Sequence, residues 1–137
     1  MPERPTAAPA ILERLRAVCL ALPEAREEAA WVGTRWRIRT RTFAHVLVID
    51  DGWPPAYARA AATDGPATVV MFRSAGPELA ALVGAGPPYF GTPWRADEIG
   101  IAVSATTDWE EVAELVTESF CLLAPERLVK LVNRPAE

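Results

Sequence analysis

The sequence predicts a single α+β domain in which an antiparallel β-sheet is covered on one face by N- and C-terminal helices. Three observations lead there. Apolar residues recur at helical spacing near both ends of the chain. Between them lie short runs whose apolar residues alternate or crowd together, as strands do. The first two runs are joined by so short a link that they pair as a hairpin, which implies antiparallel strands and a helix-on-sheet sandwich.

Each element has its own warrant. Residues 1–8 are Pro-rich and polar and read as a flexible N-terminal tail, with a single domain over 9–133 and a C-terminal tail at 134–137. Pro9 suits the first turn of a helix, whose inner face is Leu12, Leu15, Val18, Cys19 and Leu22 and which Pro23 ends. An acidic stretch from Glu24 to Glu28 and Trp31-Val32-Gly33 then lead into a strand from Thr34 to Arg41. A second strand alternates Phe43, His45, Leu47 and Ile49 with Ala44, Val46 and Val48, so the turn falls near Arg41-Thr42. Asp50 to Pro55 is a turn-rich exit, and the Ala-rich stretch 56–66 is ambiguous. Thr68 to Phe72 is a buried strand, and Pro77 to Val83 a short helix with Gly84 past its end. Residues from Gly84 to Trp94 form a Gly/Pro/aromatic loop, and Glu98 to Ser104 the last strand. Asp108 caps a long helix, with Glu111 placed for a capping box and Trp109, Val112, Val116, Phe120 and Leu123 as its buried stripe. A short helical piece from Arg127 to Val132 follows Pro125.

Composition limits the function. With 137 residues, half of them apolar and 23% charged, the chain can bury a core without metal or disulfide support. Its net charge of −4 opposes permanent residence on nucleic acid or an anionic membrane, so such a role must come from a local patch. No run approaches the roughly 20 apolar residues of a membrane span, no signal peptide opens the chain, and a cytoplasmic protein is expected. Cys19 and Cys121 sit in apolar helical contexts and read as small core residues.

The clearest outward-facing feature is Arg35, Arg37, Arg39 and Arg41 at alternate positions, which one strand would place on one face. Such a row implies either pairing with Glu24, Glu27 and Glu28 across the sheet or a phosphate-tracking stripe. Trp53 and Trp94 lie in Pro/Gly-rich loops, where they either pin the loop or line a pocket for a planar ligand. His45 is the only histidine, and the cysteines lack C-x-x-C spacing, so neither a zinc site nor a catalytic motif can be written.

Leu12 to Pro23, Trp31-Val32-Gly33, Trp36-Arg37-Ile38 with Arg41-Thr42-Phe43-Ala44, Pro88-Tyr89-Phe90-Gly91, Ile99-Gly100-Ile101 and Glu114 through Leu128 stand in an order and spacing that resembles the MmcQ/YjbR family over residues 10–130. The resemblance implies a CyaY/frataxin-like sandwich and a DNA-binding surface. The chain departs from the family pattern at Glu98, Ala102, Ser104, Phe120-Cys121 and Glu126, and three of these changes remove or reverse positive charge. The frataxin likeness also raises an iron-binding acidic ridge, but Glu13 is opposed by Arg14 and Arg16, and Arg26 interrupts Glu24, Glu27 and Glu28.

The expectation is therefore a non-enzymatic nucleic-acid-binding protein that contacts phosphates through Arg35, Arg37, Arg39 and Arg41, without catalytic residues, metal or cofactor. The alternatives are a small-molecule binding or sequestering protein with a pocket at His45, Trp53, Tyr89 and Trp94, or a protein-interaction module whose hairpin edge pairs with a partner strand.

Overall fold

Helix α1 (Pro9–Cys19) leads into β1 (Arg26–Ala29), β2 (Thr34–Ile38), β3 (Arg41–Ile49), α2 (Pro55–Ala61), β4 (Ala67–Arg73), α3 (Gly76–Ala85), β5 (Tyr89–Thr92), β6 (Arg95–Val103), α4 (Trp109–Leu123) and α5 (Glu126–Val129). These elements come from a computed structural model that describes residues 5–132. The expected tail at 134–137 and the first four residues of the one at 1–8 lie outside the described residues. Ala7, within the expected N-terminal tail, is buried against the core.

All strand pairs are antiparallel, and the sheet order is β1-β2-β3-β4-β6-β5. Two strands were not expected. The acidic stretch forms β1 at one edge, and the aromatic loop contains β5 at the other. Because β2 pairs with β1 and β3 with β4, neither edge of the hairpin is free, which corrects the expectation that this edge is open to a partner strand. The hairpin turn is also displaced. Ile38 pairs with Arg41, so the turn is Arg39-Thr40 rather than Arg41-Thr42, and Arg39 takes a left-handed φ of 57°.

A bulge sets which side chains of β3 enter which core. Trp36 pairs with Ala44 and Arg37 with Thr42, leaving Phe43 as the extra residue. Beyond it, alternation separates two apolar clusters. The larger joins Leu15 and Cys19 of α1 and Val112, Val116 and Phe120 of α4 to Trp36, Ile38, Phe43, Val46, Val70, Phe72, Ile99 and Ile101. The smaller joins Ala58 of α2 to Leu47, Ile49, Val69 and Met71. Since Val46 and Leu47, or Val69 and Val70, point to opposite sides, α2 lies across the sheet from α1 and α4.

The end helices form for the reasons their sequences give. Pro9 occupies the first turn of α1. Asp108 Oδ1 accepts from the backbone N–H groups of Glu110 at 3.1 Å and Glu111 at 3.3 Å, satisfying two orphan donors of α4. The Glu111 carboxylate accepts a hydrogen bond from the Tyr89 hydroxyl, so its link is to β5. Trp109 is only half-buried, with the Arg14 guanidinium 5.4 Å from its ring centroid.

Candidate ligand-binding site

The displaced turn divides the arginine row. Arg35 and Arg37 lie on β2, Arg39 is in the turn, and Arg41 opens β3. Cross-strand pairing places Glu28 opposite Arg35. One oxygen, Glu28 Oε1, meets Arg35 Nη2 at 2.6 Å and Arg37 Nη1 at 3.1 Å. The Arg35 hydrogen bond is the largest cause holding the Glu28 carboxyl below its usual range. Arg37 also donates to the Thr40 carbonyl, and Arg39 meets Glu24 at 3.5 Å. Arg41 is exposed and in no ion pair among the described residues. Glu27 faces the other way, accepting from Arg16 Nε at 2.9 Å and from the Trp36 indole at 3.0 Å. Three arginines of the expected row thus meet two carboxylates, Arg35 and Arg37 sharing Glu28 and Arg39 reaching Glu24, and only part of the row faces solvent unopposed.

A second site lies on the same side of the sheet as α2. That helix packs over the end of the strands carrying Leu47, Ile49 and Val69, and leaves the other end uncovered. There a cleft of about 250 Å³ is lined by Trp31, Arg35, His45, Tyr57, Met71, Arg73 and Glu98, among others. Trp31 stands at its edge, 81% exposed, with its ring 5.4 Å from that of Trp53. Tyr57 packs edge-on against Trp94 at 5.1 Å and His45 at 6.2 Å.

Backbone geometry fixes the turn that carries Trp31. Gly33 has φ of 76°, and a Cβ there would sit 1.9 Å from the Val46 carbonyl oxygen, so only glycine lets the turn lie this close to β3. His45 Nε2 donates to the Val32 carbonyl at 2.6 Å, since a carbonyl can only accept. Burial lowers the His45 pKa and favours the neutral ring. His45 therefore ties the Trp31 turn to the sheet.

Charge in the cleft is unevenly matched. Arg35 has Glu28, and Arg73 Nη1 has Asp97 Oδ2 at 3.0 Å. Glu98 pairs with Arg73 across β4 and β6 in register, yet it makes no ion pair among the described residues. The Trp94 indole donates to its Oε1 at 2.9 Å. Burial is the largest cause raising its pKa, opposed by the Trp94 hydrogen bond and then by Arg95 and Arg73.

The pocket residues expected from sequence are only partly brought together. His45 lines the cleft, while Trp53 and Trp94 back it through Trp31 and Tyr57. Tyr89 lies apart, packed on the larger core beside α4. Trp31, Tyr57, Arg73 and Glu98 were missed. Trp31-Val32-Gly33 was visible as a motif, but nothing in the sequence says that it folds back over His45. Among the described residues, no group of three or more His, Cys, Asp or Glu side chains is placed to hold a metal ion, and no helix is long and apolar enough to cross a membrane.

Six antiparallel strands, helices on both faces and an aromatic cleft of mixed polarity define a small α+β domain. The chain belongs to the YjbR family, whose model matches residues 20–122. The crystal structure of Deinococcus radiodurans protein DR2400, which carries a DUF419 domain, is similar in fold. Its TM-score is 0.63 at 17% identity, covering 90% of this chain and 88% of that one. No curated protein matches the chain.

Proposed function

We propose that the protein is a cytoplasmic, non-enzymatic binding protein of the YjbR type, built on a CyaY/frataxin-like sandwich, whose cleft takes a small organic ligand. The observation that carries this reading is Trp31, a large aromatic side chain left 81% exposed at the edge of a cleft. Covering one indole face contributes roughly 2–3 kcal/mol to binding. Trp53 supports the ring from behind and His45 fixes its turn, so little ordering is left for the ligand to impose. Screening a fragment library by protein-detected NMR tests the reading. Fragments that bind shift the Trp31, His45 and Tyr57 signals, and Trp31→Ala weakens them at least tenfold while leaving the melting temperature within a degree or two. A library that leaves those three residues untouched counts against the cleft.

Nucleic-acid binding is the second reading, favoured by the exposed Arg26, Arg39 and Arg41 around the hairpin tip. With about three phosphate contacts available, the slope of log affinity against log salt is no steeper than about −3. Replacing Arg39 and Arg41 by Ala flattens it by about two units. A DNA affinity indifferent to both arginines removes this reading.

A further inference from the structure

We propose that the cleft selects a small organic monocation, a protonated amine or amidine on a body of one or two rings, with Glu98 as counter-charge and Trp31 and Tyr57 as walls. This deepens the ligand-binding reading above and rests on it. The argument starts from which charges already have partners. Both arginines of the lining already engage a carboxylate, Arg35 meeting Glu28 at 2.6 Å, an oxygen it shares with Arg37, and Arg73 meeting Asp97 at 3.0 Å. Arg73 is also withdrawn, with its side chain 12% exposed. His45 has committed its Nε2 hydrogen to Val32 and stays neutral. Glu98 alone among the ionised side chains of the lining has no opposite charge within ion-pair distance among the described residues.

A carboxylate partly drawn out of water, with Arg95 and Arg73 acting on it only from beyond ion-pair distance, is disfavoured, and burial raises its pKa despite them. An ammonium or amidinium group entering the cleft would supply the missing charge and donate N–H bonds to the carboxylate. A second anion would meet arginines that each already engage a carboxylate, Arg35 sharing Glu28 with Arg37, and would be repelled by Glu98. The walls favour the same ligand, because the faces of Trp and Tyr rings attract a cation within about 6 Å of their centroids, Trp most strongly. Size sets the limit. A cavity of about 150 Å³ admits a benzene ring, so about 250 Å³ open at one side admits one ring, or two at most.

The test uses the full chain and four single-ring probes at neutral pH: benzamidinium, benzylammonium, benzoate and benzyl alcohol. Both cations are expected to shift the Trp31 indole signal and the Tyr57 and Glu98 amides, and to bind at least tenfold tighter than benzoate or benzyl alcohol. Glu98→Gln keeps an acceptor for the Trp94 indole and should lower the cations to the level of benzyl alcohol, whereas Glu114→Gln on the exposed side of α4 should change nothing. Should Glu98→Gln fail to fold, the ratio of cation to benzoate affinity in the natural protein decides alone. Benzoate binding at the same residues as tightly as the cations overturns the selectivity and leaves the cleft reading standing. If no probe moves those signals, both fall.

Discussion

Ser119 serves two strands with one hydroxyl. It is fully buried within the apolar stripe of α4, where a polar side chain is costly unless bonded. Its Oγ donates to the Phe43 carbonyl at 2.7 Å and accepts from the Arg73 amide at 2.8 Å. The β3–β4 register ends at Ala44 and Phe72, so the hydroxyl bridges Phe43 and Arg73 just past the last pair, while the same Phe43 is the bulged residue against β2. Phe43 also meets the Phe120 ring edge-on at 5.3 Å, so the bulge, the hydroxyl and the ring contact hold one another in place. Ser119→Ala leaves a buried donor and a buried acceptor unsatisfied and is expected to cost roughly 2–4 kcal/mol. Urea unfolding checks this, with the midpoint falling and the slope unchanged. A loss below about 0.5 kcal/mol would mean that another group serves both backbone atoms.

At the scale of elements, the sequence was legible where an end signal stood beside a periodic run. Pro9, Pro77 and Asp108 each mark a helix that forms, and the apolar runs of β3, β4 and β6 each become a strand. The two edge strands were not legible. Arg26–Ala29 holds no large apolar residue, because an edge strand facing solvent can be built from charges. Tyr89–Thr92 is hidden among prolines and a glycine, and its place depends on a partner that no local pattern reveals. Phe90 lays its ring on Gly100 of β6, where a Cβ would fall 2.2 Å from the ring. The hairpin turn was misplaced because Arg39-Thr40 contains neither Gly nor Asn, so the alternation of arginines ran on through it. The cleft was legible as residue types rather than as a place. Its tryptophans stood out, but the meeting of Trp31 with Trp53 and of Tyr57 with Trp94 comes from tertiary packing. Glu98 registered only as a departure from a family pattern, since its significance depends on which charges the sheet leaves unmatched.

Across the whole molecule, acid should loosen the fold in an order set by opposing groups. Burial lowers the His45 pKa, so the unfolded chain takes up that proton first and stability begins to fall as pH drops through about 6.5. Glu98 acts in the opposite sense. Its pKa is raised by burial, so the folded form takes up its proton first and offsets part of the His45 loss above the ordinary glutamate value of about 4.5. Below that value the carboxylates that fasten the sheet act unopposed. Glu27 is held low chiefly by the Arg16 hydrogen bond and also by Trp36, and Glu28 chiefly by Arg35. A depressed carboxylate stabilises the fold above its unfolded pKa and loses that contribution as pH falls through its folded pKa. Stability should therefore decline gently from pH 7 to about 4.5 and steeply below it. Glu27 is the informative position, because its carboxylate ties α1 to β1 through Arg16 and receives the buried Trp36 indole as well. Glu27→Gln should be less stable at pH 7 yet show a shallower acid limb, with the two curves converging toward pH 3. Urea midpoints at pH 7, 5, 4 and 3 measure this directly. Parallel curves for the two proteins would show that the acid sensitivity arises elsewhere and that the Arg16–Glu27 tie does not govern how the first helix is held to the edge of the sheet.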